Sequence, residues 1–366
     1  MTKDIAITGV TARAFIVPTD QPEADGTLSW TSTTIIVVEV SAGGRTGLGY
    51  TYADPAVATL INGKLGPLVT GAEAMDVRRA WVMLRGAVRN LGRSGLVASA
   101  IAAIDTALWD LKARLLDLPL AALLGRARER VEIYGSGGFT SYDDRTLQAQ
   151  LSGWVERDGC RAVKMKIGSE PERDPARVAA ARRAIGDTAK LFVDANGAFT
   201  PREALHYAHL FAETADIRWM EEPVSSDDLT GLAVVRAAAP PRVEIAAGEY
   251  VYTEDDARTM LATEAVDVQQ VDVTRCEGIT GLLDIAAMTA AHHRDVSGHC
   301  APALHLHAAC AIERFRHLEW FHDHVRIEHM LFDGAPVPQH GFIAPDMSRP
   351  GHGLEFKHQL AERYAA

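Results

Sequence analysis

The chain has 366 residues, 47% of them hydrophobic and 23% charged, with a formal net charge of −11. That apolar content excludes a disordered chain, and the length suits two domains, or one large α/β barrel with an addition, folding without disulfides or a structural metal. The acidic balance has the wrong sign for a general nucleic-acid binder or an anionic membrane surface, so neither partner is expected.

The leading Met1–Ala6 has no long apolar core and no small-residue cleavage site, and no run approaches the ~18 apolar residues of a membrane span. The cysteines (Cys160, Cys276, Cys300, Cys310) form no C-x-x-C pair, so a reduced, cytoplasmic setting is the expectation. The polar stretch Thr19–Thr34, with Gly26 and Trp30, reads as a loop. Ile35, Ile36, Val37, Val38 and Val40 then form a β-branched run before Ser41-Ala42-Gly43-Gly44, predicting a strand and turn of an antiparallel meander. Val97, Ile101, Ile104, Leu108, Leu111 and Leu115 recur at intervals of four and three, which predicts a helix with one apolar face ending before Pro119. Strands followed by helices make residues 1–130 an α+β unit.

From Val131 the pattern changes to short β-type runs alternating with helix-length stretches. The predicted strands are 131–134, 162–167, 191–194, 217–221, 243–247, 266–272, 295–299 and 315–320. Between them, 175–185, 201–213 and 278–291 read as helices, the first with Asp174 as N-cap and Pro175 in the first helical position. Eight such runs predict a closed parallel barrel over residues 131–325. The Gly-, Pro- and His-rich remainder, 326–366, is expected to return to the first domain.

The strand ends carry residues foreign to a core. Lys164 and Lys166, two apart, share one face of their strand, while Val163, Met165 and Ile167 take the other. Asp194, Glu221, Glu249, Asp272, His299 and Glu319 then recur at intervals of about one β-α unit, at one height on successive strands and at the barrel end where chemistry sits. Carboxylates on adjacent strands repel unless a cation joins them, and oxygen-only ligands favour Mg²⁺, or Mn²⁺, over zinc. Asp194, Glu221 and Glu249 are therefore read as one divalent-metal site; alternation turns Glu222 away. Two lysines on one side and a histidine on the other suggest proton transfer beside a carboxylate, giving an enediolate that a divalent cation and an ammonium stabilise. Lys164 is expected to lower the pKa of Lys166, and Asp272 to pair with His299.

Lys-Met-Lys, Val-Asp-Ala-Asn-Gly, Glu-Glu-Pro, Ala-Gly-Glu and the later Asp…His…Glu series resemble the enolase superfamily, specifically its mandelate racemase subgroup. Ala107-Leu-Trp-Asp-Leu-Lys and Leu123-Leu-Gly resemble that family's capping-domain helix and its exit, so the resemblance spans almost the whole chain. It implies an α/β fold, a modified (β/α)7β TIM-type barrel with an α+β capping domain, and a homo-oligomer, often an octamer. It also implies Mg²⁺ on Asp194, Glu221 and Glu249, Lys166 as one base supported by Lys164, and His299 with Asp272 as the opposite base or acid. Glu319 would hydrogen-bond a substrate carboxylate oxygen and Asn196 its hydroxyl, while the segment carrying Trp30 would cover the site.

Tyr50 and Tyr52 are candidates to line the same lid, and Ser136, Gly137 and Phe139 to touch substrate. His322, within the cluster His317, His322, His324 and His329, is a candidate pocket wall; no second ligand pair at finger spacing supports zinc. Cys300 is expected to turn its thiol away as a helix begins, and Gly135–Gly138 lacks the Lys-Ser/Thr and helix start of a phosphate loop. The expected reaction is α-proton abstraction from a hydroxy carboxylate, with dehydration of an acid sugar to a 2-keto-3-deoxy acid as first reading. Racemisation or epimerisation of a 2-hydroxy acid is the alternative. A non-catalytic binding barrel would require one of these residues to be missing.

Overall fold

The β-branched run at 35–40 is buried on both faces, which explains why it lacks alternation. In the computed structural model, which describes residues 5–366, it lies in the middle strand of an antiparallel sheet ordered β1 (Ile7–Ala24), β2 (Ser29–Ala42) and β3 (Arg45–Tyr52). Ile36, Val38 and Val40 pack on Ile101, Ile104 and Leu108 of the helix Leu96–Leu115, while Ile35 and Val37 face the core shared with the barrel. Each such aliphatic buried contributes roughly 1.5–3 kcal/mol. Gly43 and Gly44, at φ 56° and 74°, supply the two left-handed residues that a two-residue hairpin between β2 and β3 requires. Met1–Asp4, the start of the leading segment, lie outside the described residues.

The segment 19–34 is not a loop. β1 and β2 continue through it as a hairpin whose register slips between Pro18 and Glu23 and resumes with Glu23 opposite Trp30. Exposed side chains on this projecting stretch gave it a loop-like composition.

The barrel strands are β4 (Val131–Gly137), β5 (Ala162–Lys166), β6 (Lys190–Asp194), β7 (Ile217–Glu221), β8 (Glu244–Ala247), β9 (Val268–Val271), β10 (Asp295–Gly298) and β11 (Phe315–Phe321). All neighbours are parallel, and β11 pairs with β4 to close the ring. Outward residues such as Val163, Met165, Leu191 and Val193 pack under the surrounding helices, while Tyr134, Phe192 and Trp219 fill the interior floor. Seven β-α units precede β11, which runs directly into the helix His322–Leu331. The chain then returns to the cap, where Ala366 N–H bonds Ala14 O at 3.0 Å. Asp174 is not an N-cap: it lies in the first turn of the helix Asp174–Ile185, and its carboxylate accepts Gly168 N–H at 2.7 Å and Arg177 Nη1 at 3.1 Å.

Asp105 ties cap to barrel. Fully buried in the helix Leu96–Leu115, it accepts Thr280 N–H at 2.9 Å and Thr280 Oγ1–H at 2.7 Å, capping the helix Gly278–Ala291, which has no side-chain cap of its own. Asp105→Ala strands both donors and is expected to cost about 1–3 kcal/mol in urea unfolding. An unchanged midpoint would show that the cap docks by other contacts.

Candidate active site

Every barrel strand sends a polar group to one ring at its C-terminal end. Parallel register sets Lys166 beside Asp194 and Asp194 beside Glu221 on β5, β6 and β7, and Ser136 of β4 beside Lys164. Glu249 follows β8, Asp272 follows β9, His299 follows β10, and Glu319 lies in β11. None of these charged residues is more than 5% exposed.

Their partners are fixed. Lys164 Nζ donates to Glu221 and, at 2.8 Å, to Glu319 Oε1, with Asp194 Oδ2 3.3 Å away. Lys166 Nζ donates to Asp194 Oδ2 at 2.6 Å. His299 Nδ1 lies 2.9 Å from Asp272 Oδ2, and its Nε2 lies 3.3 Å from Glu249 Oε2. Arg275, which sequence reasoning missed although it follows Asp272 by one helical turn, places Nη1 3.2 Å from Glu249 Oε1 and Nε 3.5 Å from Asp272 Oδ2. Trp219 Nε1–H donates to Glu221 Oε2 at 3.0 Å. Ser136 Oγ–H and Cys300 N–H hold Glu319 at 2.6 and 3.0 Å, so Ser136 acts on Glu319 from within the ring.

These contacts set the protonation states. Burial and Lys164 lower the Lys166 ammonium, but Asp194, Glu249 and Glu221 together outweigh them and push it up, against the expected net depression. Burial likewise works against the His299 imidazolium, yet Cys300, Glu249, Glu319 and Asp272 raise it well above its ordinary range. Burial and Asp194 push Glu221 up to about 8, despite Lys164.

One oxygen each of Asp194, Glu221 and Glu249 lies within 4.8 Å of the others. With all carboxylates ionised, Asp194, Glu221, Glu249, Asp272 and Glu319 outnumber the cations Lys164, Lys166, Arg275 and the His299 imidazolium by one, a deficit met here by the proton that Glu221 keeps. Glu222 lies beside them: burial and Glu249 push its carboxyl up, and its buried Oε1 meets no donor. An oxygen-only trio with this deficit fits a divalent ion of the Mg²⁺ type.

Alternation fails where the chain leaves its strands. Glu222, at φ 36°, is buried and within the field of the trio instead of facing away. Cys300 and Ala301, at φ 50° and 39°, swing the thiol inward, to 3.3 Å from His299 Nε2, and the helix starts only at Pro302. Asn196, at φ 45°, donates its N–H to Asp194 Oδ1 at 2.9 Å and lines the mouth.

Other candidates miss the mouth. Tyr50 is fully buried between cap and barrel, donating to Glu328 Oε1 of the helix His322–Leu331 at 2.5 Å and stacking on Phe332; its neighbour Tyr52 reaches the mouth and stacks on His324. His322 lies outside the mouth against Asp20, and His317 sits in the floor bonded to Ser297. Trp30 lines the mouth with Tyr52, Cys300, Phe321 and His324, while Phe139 packs edge-on behind it.

The hairpin tip is seated on the barrel. A Cβ at Gly26 would fall 2.3 Å from Ala195 O and 2.7 Å from Ile167 O, and Thr140 N–H holds Ala24 O at 2.8 Å. Gly26→Ala must lift the tip by about an ångström. It is expected to lower kcat/KM about 10²-fold with the unfolding temperature kept, and wild-type kinetics would show that the tip need not seat.

The fold and site together define a capped parallel barrel with an acidic candidate metal site at its mouth. Residues 146–360 match the enolase C-terminal domain-like family and residues 10–125 the mandelate racemase / muconate lactonizing enzyme N-terminal domain, and the chain belongs to that family. A mandelate racemase/muconate lactonizing enzyme-like protein from Rubrobacter xylanophilus is 51% identical, covering 99% of this chain and 100% of that one at a TM-score of 0.96. A racemase from Streptomyces coelicolor with bound magnesium is 29% identical over 98% of this chain and 100% of its own, with a TM-score of 0.92. The L-talarate/galactarate dehydratase of Salmonella typhimurium is 33% identical over 83% of this chain and 78% of its own. Curated relatives at this level are mostly acid-sugar dehydratases and cycloisomerases. Among the described residues no helix is long and apolar enough to cross a membrane.

Proposed function

We propose that this chain removes the α-proton of an acid sugar and eliminates its β-hydroxyl as water, giving a 2-keto-3-deoxy acid. The reading rests on one observation: Lys166 and His299 flank the carboxylate trio from β5 and β10, with one polar group per strand completing the ring. Asp194, Glu221 and Glu249 would hold Mg²⁺, which when bound supplies positive charge to the substrate carboxylate as it becomes an enediolate. Lys166, whose ammonium Asp194 helps to hold up, would take the α-proton as a free amine when the charge of that carboxylate is shared with a metal. Lys164 and Glu319 meet the substrate carboxylate. His299, kept as an imidazolium by its acidic neighbours, gives its proton to the departing hydroxyl; the enol formed then tautomerises to the keto acid. Placement of relatives among acid-sugar dehydratases supports this choice.

The second reading is racemisation, with Lys166 and His299 exchanging the proton between faces. A specific feature favours it. The wall formed by Trp30, Tyr52, Phe321 and His324 is aromatic and suits an aryl substituent, while Asp25, Ser32, Thr33, Thr34 and Asp54 on the same mouth keep polar partners for hydroxyl groups. An acid-sugar panel with Mg²⁺ separates the readings: 2-keto acid, seen as semicarbazone absorbance, is expected from at least one member. Inverted hydroxy acid by polarimetry, with no keto acid from any substrate, would select racemisation.

A further inference from the structure

Outside the ring, Asp20 and Glu23 of the lid hairpin meet His322, the first residue of the helix after β11. One potential ligand atom from each lies within 4.8 Å of the others. His322 Nε2 is already 3.0 Å from Asp20 Oδ2. Glu23 is fully buried: its Oε2 accepts Trp30 Nε1–H at 2.8 Å, while its Oε1, shut off from solvent, meets no donor. Asp323 is buried too. Its Oδ1 accepts Arg326 at 2.5 Å and its Oδ2 meets no donor, and its charge is close enough to act on Glu23. Three carboxylates thus face one fixed cation, with two buried oxygens orphaned. Protein interiors rarely leave such groups unpaired. The cluster is reached from solvent through Asp20 and His322, whose side chains are 45% and 26% exposed.

We propose that Asp20, Glu23 and His322 form a second divalent-cation site, distinct from the carboxylate trio, that pins the lid hairpin to the barrel. An imidazole nitrogen beside carboxylate oxygens selects a transition metal such as Zn²⁺, Mn²⁺ or Co²⁺ over Mg²⁺, which demands oxygen and dehydrates reluctantly. The position suits a latch. Between Pro18 and Glu23 the hairpin's own ladder is interrupted, so β2 does not hold this stretch. Ties across to the barrel take its place: Ser141 Oγ–H to Pro22 O at 2.7 Å, and Arg326 Nη2–H to Pro18 O at 2.6 Å. A cation bridging Asp20 and Glu23 to His322 adds a third.

The test uses the full chain in excess Mg²⁺, with Co²⁺ as probe because its visible bands report the ligand field and a thiolate ligand such as Cys300 would add a near-ultraviolet charge-transfer band. Equilibrium dialysis and absorbance are expected to show one Co²⁺ per chain with nitrogen and oxygen ligation and no thiolate band. That equivalent should disappear in both Asp20→Asn and His322→Gln, and persist in Glu221→Gln, where the trio is broken. Bound paramagnetic Co²⁺ should also quench the fluorescence of Trp30, whose indole touches Glu23, and Trp30→Phe should remove that quench. Absence of the extra Co²⁺, its retention in both latch variants, or quenching that survives Trp30→Phe would each overturn the site. The outcome does not depend on which reaction the barrel performs.

Discussion

Lys166→Ala is expected to remove turnover by about 10²–10⁴-fold, the range a positioned acid–base group contributes. His299→Asn should remove it comparably. In deuterated water the two variants should differ by face: Lys166→Ala loses exchange of the hydrogen that its amine reaches, while His299→Asn keeps that exchange and loses product. Lys166 is held by Asp194 on the β6 side of the trio, His299 by Asp272 on the β10 side, and no other described lysine shares the ring with Lys164 and Lys166. Breaking a buried ion pair also costs about 3–5 kcal/mol of stability. Lys166→Met, which keeps the stem's volume, and thermal unfolding therefore accompany the kinetics. Wild-type turnover in the Lys166→Ala, His299→Asn double variant would sink both assignments.

The ring was legible in sequence because side-chain alternation holds inside strands. Lys164 with Lys166, Asp194 and Glu221 all sit within β5–β7, where a period of two and parallel register decide which way each points. Past the strand ends that rule lapses. Glu222, Asn196 and Cys300 each adopt a left-handed backbone; only Asn196, of a residue type that tolerates it and followed by Gly197, carries a local sign of this, and Glu222 and Cys300 carry none. Tyr50 and Tyr52 share one face of β3 by the same period, yet one bonds Glu328 of the helix after β11 and the other reaches the mouth. Their separation depends on where the barrel lies beneath the sheet, which a period cannot report. The hairpin 19–34 was hidden for a similar reason: its pairing is antiparallel, but its slipped register and exposed faces erase the apolar alternation that identifies a strand.

Glu221→Gln should weaken Mg²⁺ binding by about 100-fold or more, since losing a ligand costs at least what losing a ligand's supporting partner does. Chelation should abolish activity and Mg²⁺ restore it. Of the trio, Glu221 is the informative member because its carboxyl is pushed up to about 8 by burial and by Asp194, although Lys164 donates to it. The sign follows from competition. Below that value the proton occupies the carboxyl an ion needs, so binding must expel it and the apparent affinity falls as pH falls; as pH rises toward about 8 the competition fades and affinity climbs. Calorimetry of Mg²⁺ binding in buffers of different ionisation enthalpy would read the proton released, and that release should vanish in Glu221→Gln, whose amide does not titrate. Near neutrality and without metal Glu221 is largely protonated, so the neutral glutamine replaces a neutral acid whose carbonyl oxygen still accepts from Lys164, and the metal-free fold is expected to stay intact. Full activity after exhaustive chelation, or Mg²⁺ affinity unmoved by Glu221→Gln, would show that the trio is balanced by Lys164 and Lys166 alone and holds no ion.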